Sequence, residues 1–258
     1  MPLNAQFSPA KTGPVVVLIH GLFGSLDNLG RLANTLTEAG FGVLSLDLRN
    51  HGRSPHSPTH DYPAMVADLL ALLDVQGLAE VDLVGHSMGG KVAMQFALRH
   101  PQRVQKLVVV DMAPVAYLPG AHDAVFAGLQ AVAAQAPLTR HQADTCLAQH
   151  LPDSAVRQFL LKSFLPSSQP CWRFNLPALQ ANYPHILAWP PVTGTYPGPS
   201  LFIKGERSPY LQPSHQAAIQ QQFPQAKARL VVGAGHWLHA EKPLLFNKLV
   251  VDFLSASS

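Results

Sequence analysis

The sequence predicts an α/β fold, a mostly parallel sheet with helices on both faces, and three observations carry that expectation. Short β-branched, apolar runs recur at 14–20 (PVVVLIH), 42–47 (GVLSLD), 81–85 (VDLVG), 106–111 (KLVVVD), 200–205 (SLFIKG) and 228–235 (ARLVVGAG). Helix-period segments lie between and after them, near 27–39, 62–76, 88–99, 213–223 and 242–254. Strands that are apolar along their whole length and alternate with helices belong to parallel sheets buried on both faces. Third, a chain of 258 residues that is 47% hydrophobic can bury a substantial core.

Composition narrows the function classes. Charged residues make up 13% and the net charge of +3 is spread along the chain. With no basic tract, no nucleic-acid partner is expected. No apolar run approaches the roughly 18 residues of a membrane span. The stretch MPLNAQFSPAKTGP lacks a charged head followed by an apolar segment, so no signal peptide is evident. Cys146 and Cys171 alone suit a reducing compartment. The expectation is a cytoplasmic protein without a membrane partner, monomeric or weakly homodimeric.

Taken in order, the elements carry chemistry at their carboxyl ends. The first run leads directly into His20-Gly-Leu-Phe-Gly-Ser25, as a loop that donates an oxyanion-hole N–H does. Leu22 is the expected donor and Phe23 its near rival; His20 is expected to brace the loop. After the second run, Asp47 is expected to tie down its own loop through Arg49 or Arg53. The third run ends in Gly85-His86-Ser87-Met88-Gly89, a G-x-S-x-G with a strand before it and a helix after it. The glycines two residues to either side make room for a strained turn that holds Ser87 out as a nucleophile. That turn sets the Met88 N–H at a helix start, where donors are unpaired and the dipole favours negative charge. His86 is expected to point away from the site.

The alternation breaks once. From about 114 to 199 no strand is expected; helical patterns near 121–135, 139–150 and 153–165 give way to a Pro- and aromatic-rich tail read as fixed turns. An insertion between two strands at the ligand-binding end of a sheet becomes a roof over the site. The division expected is a core of 1–113 and 195–258 with a helical cap of 114–194. Phe126, Phe159, Phe164, Trp172, Phe174, Tyr183 and Trp189 are expected mostly as cap core, with one or two lining a pocket. The last run leads to His236 on a Gly-flanked turn, the expected general base; His239 is the alternative, read as surface or helix-capping. No metal-ligand spacing, phosphate loop or dinucleotide fingerprint occurs, so no cofactor is expected.

HGLFGSLDNLG, RNHGRSP, GHSMGGKVAM, VVDMAPVAY, FLLKSF, WRFN, YPHI and GAGHWLHAEKP together resemble the α/β-hydrolase superfamily and, within it, the bacterial esterases of the YbfF type. The resemblance covers nearly the whole chain. It implies the α/β-hydrolase fold and hydrolysis of short- to medium-chain acyl esters, thioesters included. Many superfamily members carry their catalytic acid in a Gly-x-x-Asp turn, which here reads Gly205-Glu206-Arg207-Ser208, with serine in the acid's place. The YbfF-type esterases are similar in taking the acid from the earlier strand, which implies Asp111. The order Ser87, Asp111, His236 matches that of the superfamily. Glu206 is the runner-up acid, and Ser208 is expected to add a hydrogen bond to His236. Arg49, Arg53 and Lys91 lie near the site in sequence but have ordinary structural readings. Rival readings are C–C bond hydrolysis or perhydrolysis on the same triad, or a ligand-binding module without turnover.

Overall fold

Helices cover both faces of the central sheet, which is why its interior strands are apolar at successive positions instead of alternate ones. The computed structural model describes residues 1–10, 13–136, 139–168 and 170–256. Positions 11, 12, 137, 138, 169, 257 and 258, which fall within the expected core and cap, lie outside the described residues. The strands are β1 (Ala5–Ser8), β2 (Val15–Ile19), β3 (Gly42–Leu46), β4 (Val81–His86), β5 (Val104–Val110), β6 (Ser200–Gly205) and β7 (Ala226–Val231). Their order is β1-β3-β2-β4-β5-β6-β7, all parallel except β1.

Each of the six expected runs forms a strand, and the seventh, β1, was not expected. It is a four-residue AQFS segment, mostly exposed, that pairs antiparallel with β3 at the sheet edge. An edge strand with one neighbour needs no apolar run, so composition leaves it invisible. β7 ends at Val231, short of the expected 235, because the chain turns there through Gly233 at φ +70°.

Helix α1 (Gly30–Glu38), α2 (Tyr62–Val75) and α3 (Met88–Arg99) follow β2, β3 and β4. The stretch between β5 and β6 holds α4 (Asp123–Gln135), α5 (Arg140–Ala148), α6 (Ser154–Leu160), α7 (Leu176–Ala181) and α8 (Tyr183–Leu187); α9 (Gln216–Gln222), α10 (Leu238–Glu241) and α11 (Pro243–Ser255) complete the chain. α2, α3 and the inserted helices share one apolar cluster, while α1 and α11 share the other across the sheet. Where fixed turns were expected, α7 and α8 form, each with a proline in its first turn. A proline there loses no helical hydrogen bond and presets φ, so the prolines that argued against helix begin it.

The insertion is sewn to the core by buried polar groups. Lys91 of α3 donates from Nζ to the carbonyls of Leu187 (2.8 Å) and Ala188 (2.9 Å), with Nζ 4.7 Å from the Tyr117 ring centroid. Tyr62 donates its hydroxyl to the Ile186 carbonyl at 2.6 Å. Inside the insertion Trp172 stacks on Phe174 with centroids 5.3 Å apart. Cys146 and Cys171 are buried free thiols. Among the described residues no helix is long and apolar enough to cross a membrane.

Registry carries the carboxyl ends of β2, β4, β5 and β6 to one sheet edge, with Ile19 opposite Gly85, His86 opposite Val110 and Val110 opposite Ile203. At that edge β6 meets the chain that follows β7 so closely that a Cβ on Gly205 would collide with the Gly235 carbonyl. Gly205→Ala is therefore expected to cost about 1–3 kcal/mol by overpacking backbone against backbone. Calorimetry should show a melting temperature lowered by roughly 2–10 °C for a chain of this length; an unchanged value would contradict the close approach.

Candidate active site

Ser87 stands at the turn between β4 and α3 with φ 55° and ψ −121°, a conformation non-glycine residues rarely adopt. The turn is held on both sides by backbone. A Cβ at Gly85 would strike the Gly89 carbonyl, and one at Gly89 would strike the Ile19 and His20 carbonyls of β2 and its loop. Ser87 continues the sheet's pairing by donating its N–H to Val110 O at 3.0 Å.

His236 follows β7 and reaches across the sheet edge. Its Nε2 lies 2.9 Å from Ser87 Oγ and its Nδ1 2.7 Å from Asp111 Oδ2. Asp111 is fully buried, just past the end of β5, at φ 52°. Its Oδ1 accepts the Gly205 N–H at 3.2 Å, and its Oδ2 accepts the Ser208 hydroxyl in a short bond. Sequence reasoning sent the Ser208 bond to His236; it goes to the carboxylate instead, because Ser208 turns back over β6 toward the end of β5. Glu206 is exposed and accepts the Gly233 N–H at 2.7 Å, away from the imidazole.

The loop after β2 packs on a run of buried histidines. His20 donates from Nδ1 to Gly21 O (2.8 Å) and accepts the Leu48 N–H on Nε2 (3.0 Å). His51 donates from Nδ1 to Arg49 O (3.0 Å) and accepts the Phe23 N–H on Nε2 (3.1 Å). Phe23 sits at φ 62° with its N–H spent on His51, whereas the Leu22 N–H takes no partner among the described residues. Met88 is the first residue of α3, where an N–H lacks a helical acceptor. Asp47 accepts the Leu26 and Arg53 N–H groups and the Asn4 side chain, while Arg49 pairs with Asp68 at 2.6 Å.

Two histidines depart from their expected places. His86 does not point away: its Nε2 donates to the His236 carbonyl at 2.9 Å, and its ring centroid lies 4.8 Å from that of His236. His239 is buried, not on the surface, and its ring meets His86 edge-on at 4.5 Å. Tyr210, which no motif marked, lays its ring 4.3 Å from His236.

Ser87 opens into a cavity of about 340 Å³ whose apolar wall includes Leu22, Phe23, Val125, Leu151, Phe159 and Leu160. A second groove of about 620 Å³ shares Asn28, Phe159, His236, Trp237 and His239 with it and runs out past Lys162 and Arg207. Of the insertion aromatics named from sequence, Phe159 lines the cavity, whereas Phe126, Phe164, Trp172, Phe174 and Tyr183 are buried in packing. Trp237, beside His236 in the chain, lines both spaces.

Residues 14–243 match the family model of the alpha/beta hydrolase fold. The chain belongs to the α/β-hydrolase family. It is 46% identical over 246 residues to Esterase YbfF of Escherichia coli, covering 94% of this chain and 95% of that protein. It is 43% identical over 251 residues to the mouse sn-1-specific diacylglycerol lipase ABHD11, covering 95% of this chain and 82% of that protein. Among solved structures, a marine microorganism esterase superposes with a TM-score of 0.92 at 35% identity, over 98% of this chain and 99% of that one. The resemblance to YbfF-type esterases read from the motifs thus extends along the whole hydrolase fold.

Burial holds the histidines beneath and behind the site neutral. His60 and His239 are each pushed down to about 3, chiefly by loss of solvation, and His51 and His86 are lowered well below the usual imidazole value for the same reason. A folded value below the unfolded one means that the unfolded chain takes up protons which the folded chain refuses, so stability falls as pH drops below about 6.5. His60 and His239 alone are expected to remove roughly 2–3 kcal/mol between pH 7.5 and 5.5. Urea unfolding at the two pH values checks this, and equal midpoints would show that these rings charge freely in the fold.

Proposed function

We propose that the protein is a serine carboxylic ester hydrolase for short- to medium-chain acyl esters, thioesters included. One observation carries the reading: Ser87 Oγ, His236 and the Asp111 carboxylate form a continuous chain of 2.9 and 2.7 Å contacts at the floor of an apolar cavity. Ser87 is the nucleophile, His236 the general base and then acid, and Asp111 the group that holds the imidazole tautomer and stabilises its charged form. Leu22 and Met88 supply the oxyanion N–H groups. Residues 114–194 act as a cap on a core of 1–113 and 195–258. Both curated relatives carry names for ester cleavage, an esterase and a diacylglycerol lipase, which supports the ester as the substrate bond.

Ser87 Oγ attacks the ester carbonyl carbon as its proton passes to His236 Nε2. The carbonyl oxygen becomes an alkoxide facing the Leu22 and Met88 N–H groups, where each donor contributes about 10²–10³ in rate. His236 protonates the leaving oxygen or sulfur, the acyl group stays on Ser87, and a water activated by the same imidazole releases the acid. The acyl chain occupies the 340 Å³ cavity and the leaving group departs through the 620 Å³ groove, since the two spaces meet at His236. Ser208 acts on Asp111: its hydroxyl keeps the carboxylate turned toward the imidazole.

Hydrolysis of p-nitrophenyl esters from C2 to C16 tests the assignment. Ser87→Ala is expected to lose roughly 10⁶ in turnover and Asp111→Asn roughly 10⁴, while Glu206→Gln keeps wild-type rates. Activity should fall off for chains too long for the cavity. Full activity in Ser87→Ala would remove the nucleophile, and loss of activity in Glu206→Gln would move the acid to that residue.

A further inference from the structure

The cavity over Ser87 is apolar apart from a few groups, and one of them comes from the insertion. His122 immediately precedes α4, lines the cavity, and packs edge-on against Phe23 with centroids 6.4 Å apart. Its Nδ1 lies 2.6 Å from the Tyr183 hydroxyl. Tyr183 is buried against Phe126, and its hydroxyl oxygen also receives a hydrogen bond from the His122 backbone, which leaves the phenol proton for Nδ1. A buried phenol spends its proton on an acceptor, so Tyr183 donates to Nδ1. With Nδ1 serving as acceptor, the proton of the neutral ring sits on Nε2. Burial, aided by the nearby His236, pushes the imidazole down to about 4 and keeps it neutral. Nε2 takes no partner among the described residues.

From this geometry we infer that His122 Nε2–H is a substrate-binding donor, and that the enzyme favours esters whose acyl chain carries a hydrogen-bond-accepting oxygen. This rests on the ester-hydrolase reading above and names the substrate class that reading leaves open. The accepting oxygen is that of an ether, ketone, hydroxyl or second ester. A plain alkyl chain desolvates the donor without replacing its lost water; an oxygen at the right depth replaces it. Tyr183 acts through His122, as a positioning residue that fixes which ring nitrogen faces the substrate. The aromatic packing of Phe23, Phe126 and Tyr183 holds the ring in place.

Matched p-nitrophenyl esters test the assignment: methoxyacetyl, 3-methoxypropanoyl and 4-methoxybutanoyl against butanoyl, pentanoyl and hexanoyl, with rates corrected for alkaline reactivity. At one chain position, the wild-type ratio of ether to alkyl kcat/KM should be about tenfold. His122→Phe should bring that ratio to one, His122→Gln, which keeps a donor, should retain part of it, and Tyr183→Phe should lower it. Binding gives a second readout that needs no turnover: Kd for the same esters on Ser87→Ala, followed by quenching of Trp237, with and without His122→Phe. A ratio near one at every position in both readouts, or one that persists in His122→Phe, overturns the assignment. A binding preference lost in His122→Phe, in a wild-type protein that hydrolyses none of the esters, keeps the subsite and overturns the hydrolase reading instead.

Discussion

The close approach of backbone to backbone at the carboxyl edge of the sheet is the constraint on which the rest depends. Gly89 lies against the end of β2 and Gly85 against Gly89, so α3 leaves β4 at an angle that no side chain at either position would permit. Ser87 is left at φ 55°, half-buried at the head of the helix. Gly205 and Gly235 repeat the arrangement at the other end of the edge, drawing the His236 loop in over β6. The strain at Ser87 persists because the surrounding backbone overdetermines it.

Asp111 joins the two halves of that edge. Its carboxylate accepts the N–H of Gly205, the hydroxyl of Ser208 and Nδ1–H of His236, so one buried group ties the end of β5 to the turn after β6 and the loop after β7. Such a buried carboxylate is stable only when its lone pairs are taken up, and here they are. The Ser208 hydroxyl, in the turn after β6, therefore supports the Asp111 carboxylate on the same oxygen that meets His236 Nδ1.

The neutral histidines form a second layer. His20 and His51 each accept one backbone N–H and donate to one carbonyl, which fixes their tautomers and anchors the loop that carries Leu22. His86 holds the His236 loop from the opposite side through a backbone carbonyl. A cation would serve none of these positions: Nε2 of His20 and of His51 must accept, and burial removes the water that would stabilise the charge.

Local sequence determined the sheet and the elbow, because apolar β-branched runs and a G-x-S-x-G between strand and helix state their requirements within a few residues. His236 was legible from its place after the last strand, and Asp111 from family resemblance, since a single aspartate at a strand end carries no signal of its own. The edge strand β1 escaped because it buries no apolar face, and α7 and α8 escaped because the prolines that begin them read as turns. The inward turn of His86, the burial of His239, the Ser208 bond to Asp111 and the Tyr183–His122 pair were decided only by tertiary structure. Each joins residues far apart in the chain, and which nitrogen or oxygen meets which partner depends on packing that no local pattern encodes.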